Sequence, residues 1–135
     1  MEFPSNLRYT RDHEWASYDE DEGIVTVGIT HYAVEKIGDV THVELPEEGE
    51  DVEQGKPFAE IEHHKGVDEV YSPVTGRIVE VNDFLSESPE VLNEDPYEEG
   101  WLIKVEPDDI SELEELMDAE EYAEYVADLE EEEEE

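Results

Sequence analysis

The chain has 135 residues, a length typical of one domain, and its 44 acidic and seven basic side chains give a net charge of −37. This charge disfavours contact with phosphate backbones and anionic lipid headgroups, so neither nucleic acid nor a membrane is an expected partner. The sequence has no apolar run near the roughly 20 residues of a membrane span, no secretory hydrophobic segment and no cysteine. Disulfide frameworks, thiolate catalysis and cysteine-ligated zinc are thereby excluded, and we expect a cytoplasmic protein.

The acidic bias is spread over the whole chain. Residues 1–105 hold 27 acidic side chains and all seven basic ones, and residues 106–135 hold the other 17 acidic ones. Leu, Ile, Val and Phe make up about 24% of the chain, above the roughly 20% typical of disordered sequences, so a folded protein is favoured. Because salt near 1 M shortens the electrostatic screening length to about 3 Å, we predict a protein adapted to a high-salt cytoplasm.

Short apolar runs separated by Gly and Pro predict a mainly β fold. Six strands are predicted, at 24–29, 40–45, 58–61, 67–71, 78–81 and 101–105. Several short strands with regular turn signals favour a β-sandwich or barrel over a βαβ fold.

Two short helices are predicted between the strands. Thr30 is the expected N-cap of a helix through Ile37, with Gly38 as its stop. Ser88 followed by Pro89 predicts the cap and first residue of a second helix.

Two further short helices are predicted near the C-terminus. Ser111 with Glu114, and Asp118 with Glu121, have the spacing of a capping box. We expect both helices to fold back on the sheet, followed by a disordered acidic tail at 130–135.

A lysine marks the most informative segment of the chain. Two alternating strands meet around Lys65-Gly66, and Gly66 can take the positive φ of a tight hairpin. A lysine at a turn is most often a solubilising residue paired with a neighbour such as Glu62 or Glu69. It could alternatively be the attachment point of a swinging cofactor arm, since tethering raises the effective concentration of a carried group to around millimolar.

The sequence around this lysine resembles a known family. Glu62-His-His-Lys65 followed by Val70-Tyr-Ser-Pro-Val-Thr-Gly76 is similar to the lipoyl-lysine hairpin of glycine cleavage system H proteins. Further matches occur in order and at family spacing, at 9–15, 27–30, 37–39, 43–46, 79–82, 88–90, 93–97, 100–104 and 113–119. The resemblance covers about 7–127 and implies a single lipoyl-carrier domain over 1–129, with a barrel-sandwich fold of two small sheets and short helices including C-terminal ones.

The resemblance also implies a function. The family protein is a carrier and not a catalyst, with lipoate covalently attached at the position of Lys65 by a lipoylating enzyme. Its lipoyl disulfide is reductively aminomethylated by the pyridoxal-phosphate glycine decarboxylase, an aminomethyltransferase passes the one-carbon unit to tetrahydrofolate, and dihydrolipoyl dehydrogenase reoxidises the dithiol. The family docks the loaded arm in a cleft, where a protonated amine favours carboxylates. Asp12, Glu14 and Glu69 are the candidate docking residues by position.

The hairpin departs from the family pattern on both sides of the lysine. The family has Ser and an apolar residue before it and Ala after it, where this chain has His63, His64 and Gly66. Adjacent residues of a strand point to opposite faces, so His63 and His64 are poorly placed to chelate one metal, and no metal site is predicted. We expect the histidine pair to alter recognition by the lipoylating enzyme or a partner.

Three alternative functions remain to be distinguished. A biotinyl carrier would have Met on both sides of the lysine, which His64 and Gly66 are not. A lipoate relay outside glycine cleavage would lack the docking and C-terminal motifs. An independent enzyme is the least favoured, because no nucleophile–base pair, phosphate loop or metal cluster is recognisable.

Overall fold

The computed structural model of the protein describes residues 3–133 and shows two antiparallel sheets. The larger sheet contains β1 (Arg8–Tyr9), β2 (Glu14–Asp19), β3 (Ile24–Ile29), β5 (Asp51–Val52), β8 (Gly76–Val81) and β9 (Ile103–Pro107). The smaller sheet contains β4 (Val40–Glu44), β6 (Pro57–His63) and β7 (Gly66–Tyr71). The strand orders are β1-β2-β3-β9-β8-β5 and β4-β6-β7, so the chain is mainly β as predicted.

The six predicted strands are confirmed as β3, β4, β6, β7, β8 and β9. Sequence patterning did not reveal β1 and β5, which have two residues each, or β2. The β2 strand starts with a buried glutamate and includes small residues, so it lacks the apolar run that marks the others. Buried side chains of both sheets, such as Val27 of β3 and Ile61 of β6, belong to one hydrophobic core.

Four α-helices and one 3₁₀ helix complete the fold among the described residues. They are α1 (His31–Ile37), α2 (Phe84–Glu87), α3 (Val91–Glu94), the 3₁₀ helix Ile110–Glu115 and α4 (Ala119–Glu133). The predicted limits of α1 are confirmed, because the Thr30 hydroxyl accepts from the Ala33 amide at 3.2 Å and Gly38 ends the helix with φ 75°. No helix within residues 3–133 is long and apolar enough to cross a bilayer.

The ends of the other helices differ in part from the predictions. The third helix begins at Val91 instead of Pro89, because Ser88 and Pro89 form the preceding turn, in which the carbonyl oxygen of Ser88 accepts from the Val91 amide. The segment after Ile110 is a 3₁₀ helix capped by Asp109, whose carboxylate accepts from both the amide and the hydroxyl of Ser111.

The C-terminal helix starts as predicted and continues further than predicted. Asp118 and Glu121 form the reciprocal capping box, at 3.1 and 2.9 Å. The helix then runs to Glu133, four residues into the segment expected to be a disordered tail; Glu134 and Glu135 lie outside the described residues. Glutamate is a good helix former, so a helix anchored by buried Tyr122 and Val126 extends into this run.

A second, aromatic cluster fastens α4 and the N-terminal segment to the larger sheet. Its buried members include Tyr9, Trp15, Tyr32 and Tyr122. Tyr9 and Tyr122 stack with ring centroids 4.6 Å apart, and the indole of Trp15 donates to the Pro96 carbonyl at 3.0 Å. This cluster lies beside the turn that leads into β2, and it therefore supports the residues of that turn.

Candidate functional site

Lys65 lies at the tip of the β6–β7 hairpin. His63 pairs with Gly66, so His64 and Lys65 form a two-residue loop, and Gly66 takes the predicted positive φ, at 148°. Both loop residues are exposed. The Nζ atom of Lys65 donates to the carbonyl oxygen of Lys36 at 3.4 Å, near the C-terminal end of α1, where the helix dipole favours a positive charge.

The tip is open to an approaching enzyme. Apart from its two chain neighbours, no residue lies within 4 Å of the position that a Cβ atom would occupy at Gly66, so the turn is not crowded on that side. An exposed primary amine in an uncrowded turn fits covalent acylation by an acid such as lipoate.

A buried carboxylate forms the second part of the site. Glu14 at the start of β2 is only 2% exposed. Its Oε1 accepts from the Thr10 hydroxyl at 2.5 Å and its Oε2 accepts from the Tyr71 amide at 3.2 Å. Because Tyr71 ends β7, this hydrogen bond joins the larger sheet to the base of the hairpin whose tip carries Lys65.

Burial sets the charge state of this carboxylate. The pKa of Glu14 is raised to about 7, mainly because the carboxylate is removed from water. The hydrogen bonds from Thr10 and Tyr71 act against this rise, and the nearby charge of Asp12 adds to it. Glu14 therefore exchanges a proton near neutrality. A cation placed beside it would lower this pKa and favour the carboxylate.

The turn before Glu14 is held in a strained shape by the aromatic cluster. His13 has a φ of 74°, the only positive value among the described non-glycine residues. Its Nδ1 lies 2.8 Å from the Tyr122 hydroxyl, which is also 2.8 Å from the Thr30 hydroxyl. Burial lowers the pKa of His13, so the neutral ring is favoured and Nδ1 can accept the Tyr122 hydrogen. Helix α4 and the N-cap of α1 thus fix the conformation of the turn that presents Asp12 and Glu14.

The candidate docking residues occupy two different places. Asp12 is exposed in the turn and lies near enough to Glu14 to affect its pKa. Glu69 lies on β7 opposite Glu60, and both line a groove of about 660 Å³ on the smaller sheet. Among residues 3–133, no hydrogen bond joins Glu69 to Asp12 or Glu14, so the structure groups the first two candidates and places the third along the hairpin.

Two contributors to the site were not singled out from the sequence. Thr10 accepts from the Glu14 amide at 3.0 Å as well as donating to its carboxylate, and Tyr71 contributes through its backbone amide. A hydroxyl four residues before a buried acid is a weak signal in the sequence, and a backbone donor leaves no signal. Tyr122 is recognisable only as a member of an apolar helix face, although its hydroxyl orders the turn.

Comparisons with known proteins agree with this geometry. The family model described as glycine cleavage H-protein matches residues 7–129. A glycine cleavage system H protein from Anaeromyxobacter sp. (strain K) is 49% identical over 130 residues, covering 96% of this chain and 100% of the relative. A probable glycine cleavage system H protein from Thermococcus gammatolerans is 54% identical over 124 residues, covering 91% of each chain.

A solved structure shows the same fold. The crystal structure of a glycine cleavage system H protein from Mycobacterium marinum matches with a TM-score of 0.85 and 40% identity, over 93% of this chain and 99% of that one. The predicted barrel-sandwich fold of lipoyl carriers is therefore confirmed. The family carries lipoate covalently on a lysine and interacts with the P, T and L proteins of the glycine cleavage system. The chain belongs to the glycine cleavage H-protein family, the non-catalytic lipoyl carriers of that system.

Proposed function

We propose that Lys65 is the lipoylated residue and that its arm carries the one-carbon unit of glycine from glycine decarboxylase to the aminomethyltransferase. The observation that supports this most directly is the exposed amine at the two-residue tip of the β6–β7 hairpin. When attached, lipoate supplies a disulfide that can be reduced and can bind a one-carbon unit. The hairpin supplies a fixed anchor, so that one arm can meet several partners in turn at high effective concentration.

Glu14 and Asp12 are proposed to hold the amino group of the carried unit between transfers. Tyr71, whose amide binds Glu14, is five residues along β7 from Gly66, or about 17 Å from the hairpin tip. A carboxylate already held by two donors is preorganised to accept a third from an ammonium group. Glu69 lies between tip and base on the same strand, and we assign it the role of attracting the positive amine along the hairpin.

Mass spectrometry of the protein from its native host tests the attachment. A lipoyl group on the Lys65 peptide is expected, a biotinyl group would redirect the assignment, and an unmodified Lys65 in cells growing on glycine would overturn it. Lys65→Arg should abolish glycine-dependent release of carbon dioxide. Lys56→Arg is the matched control, because Lys56 is also exposed at a turn, with 70% of its side chain accessible, and should retain full activity.

The docking proposal has a separate test. In Glu14→Gln and Asp12→Asn, the aminomethyl group on the lipoyl arm should be hydrolysed faster than in the parent protein. Lipoylation of Lys65 should be unchanged. A loss rate equal to that of the parent in both variants would contradict the assignment of these two residues.

We also propose that the protein works in a cytoplasm with a high salt concentration. The acidic residues are spread over the chain, and the smaller sheet places Glu44, Glu60 and Glu69 opposite one another on three adjacent strands. Like charges in directly opposed positions are destabilising unless salt screens them. We expect loss of the β-sheet circular dichroism signal on dialysis from concentrated potassium chloride to about 0.01 M, where the screening length is about 30 Å. An unchanged spectrum at low salt would contradict the salt adaptation, and recovery of the protein in the membrane or exported fraction of native cells would contradict the cytoplasmic location.

A further inference from the structure

His63 makes two hydrogen bonds at the hairpin tip. Its Nδ1 accepts from the backbone amide of Lys65 at 3.2 Å, and its Nε2 lies 3.0 Å from Oδ2 of Asp68. Only 7% of the His63 side chain is exposed, whereas 58% of the Asp68 side chain is exposed. The imidazole is therefore largely shielded from solvent, and its two hydrogen bonds join the loop to β7.

These contacts define which nitrogen carries the proton. A backbone amide can only donate, so Nδ1 must be unprotonated to accept from Lys65. The proton of the neutral ring is then on Nε2, from which it donates to the Asp68 carboxylate. Asp68 thus selects the tautomer in which His63 can bind the loop.

The same contact restricts the backbone of the lysine. A side chain that accepts from the amide two residues later closes a turn, as Asn and Asp side chains do in Asx-turns. The neighbouring His64 is exposed. His63 therefore limits the conformations of the two-residue tip, although the Lys65 side chain itself stays accessible.

We propose that His63, oriented by Asp68, is a positioning residue that holds the hairpin tip in the shape recognised by the lipoylating enzyme. This inference rests on the proposed function of Lys65. In the acylation step, the neutral Nζ attacks the carbonyl carbon of an acyl adenylate, an amide bond forms, the acyl–phosphate bond breaks, and AMP and a proton leave. His63 takes no part in that chemistry; it raises the fraction of tips that are ready to bind, which changes KM and leaves kcat unchanged.

The variants His63→Ala, His63→Asn and His64→Ala separate positioning from general effects of the histidine pair. Alanine removes every side-chain acceptor, asparagine keeps a side-chain oxygen that can accept from the Lys65 amide, and His64→Ala is the control at the adjacent exposed position. Circular dichroism in concentrated salt confirms folding of each variant. The two readouts are hydrogen exchange of the Lys65 amide, and kcat and KM for octanoylation of the unmodified full chain by a lipoate–protein ligase with octanoate and ATP.

We expect His63→Ala to speed exchange of the Lys65 amide about three- to tenfold and to raise KM by a similar factor, as loss of one hydrogen bond implies. Exchange and KM should return toward the parent values in His63→Asn and stay at them in His64→Ala. The proposal is overturned if His63→Ala leaves both readouts unchanged, if kcat falls instead of KM rising, or if His64→Ala has an equal effect. Those results would leave lipoylation of Lys65 intact, whereas an unmodified Lys65 in the native host would overturn the proposed function without altering the exchange result.

Discussion

The hairpin tip and the Glu14 pocket, which consists of Glu14 and its hydrogen-bond donors Thr10 and Tyr71, lie at opposite ends of the β6–β7 hairpin and differ in how firmly they are held. Lys65 is exposed, and its side chain makes one long hydrogen bond to a carbonyl oxygen. Glu14 is almost fully buried, and both of its carboxylate oxygens accept hydrogen bonds from the protein. The tip can therefore be acylated without disturbing the core, whereas the pocket is part of the core. We infer that changes at the tip affect function and spare stability, and that changes at the pocket affect both.

The largest expected effect is the pH dependence caused by Glu14. Burial raises its pKa from an ordinary value of 4.5 to about 7, so the folded protein holds a proton that the unfolded chain releases. This contribution to stability is complete below about pH 4.5 and is lost as the pH rises to about 7, which corresponds to about 3 kcal/mol. Glu14→Gln lacks the titration, so its stability relative to the parent should increase by about that amount over the same range.

Urea unfolding in concentrated salt at several pH values measures this difference. Thr10→Val provides a second variant, because it removes the hydroxyl that lowers the pKa of Glu14, and it should move the transition to higher pH. A stability difference between Glu14→Gln and the parent that does not vary with pH would contradict the role of Glu14 in this transition.

The second effect concerns the turn that presents Glu14. Tyr122→Phe removes the hydroxyl shared by His13 and Thr30 and leaves a largely buried imidazole nitrogen without its partner. We expect the free energy of unfolding to fall by about 1–3 kcal/mol. Tyr125→Phe is the control, since its hydroxyl donates to the Arg11 carbonyl at an exposed position and its loss should cost less. Equal losses in the two variants would show that the shared hydroxyl has no special role.

The sequence predicted the tip better than the pocket, and the reason is physical. A tight turn depends on neighbouring residues, so Lys65 and the positive φ of Gly66 followed from local pattern. The pocket depends on contacts between distant parts of the chain, such as that of Glu14 with Tyr71 and that of His13 with Tyr122. Resemblance to a family located Glu14, but no local pattern indicated that the side chain is buried.

The helix ends illustrate the same limit. The cap at Thr30 and the box at Asp118 involve residues within one turn, and both predictions were confirmed. The predicted cap at Ser111 was wrong, because the helix begins one residue earlier, at Ile110, and Asp109 caps it by accepting from the amide and the hydroxyl of Ser111. Choosing between two capping residues that lie two positions apart requires the path of the incoming chain, which the local sequence does not specify.

A smaller effect is expected from the three opposed glutamates of the smaller sheet. Glu60 lies between Glu44 and Glu69, so Glu60→Gln should raise stability by about 0.5–1 kcal/mol at the lowest salt concentration at which the parent stays folded, and by less at about 1 M salt. Glu106→Gln is the matched control, and its effect on stability should have the opposite sign. Glu106 lies opposite Arg77, so this substitution removes a favourable charge pair and should lower stability. Urea unfolding at the two salt concentrations measures both. A stabilisation by Glu60→Gln that does not decrease with salt would contradict an electrostatic origin.

The smallest expected change in stability is at Lys65, the proposed attachment residue. Lys65→Arg keeps the charge at the tip and alters no buried contact, so the free energy of unfolding should stay within about 0.5 kcal/mol of the parent. Thermal unfolding of the two unmodified proteins in the same concentrated salt provides the measurement. A decrease of more than about 1 kcal/mol in the free energy of unfolding would show that the Nζ contact with the Lys36 carbonyl stabilises the fold. An unchanged midpoint together with complete loss of glycine-dependent decarboxylation would show that the hairpin tip contributes to transfer and not to stability.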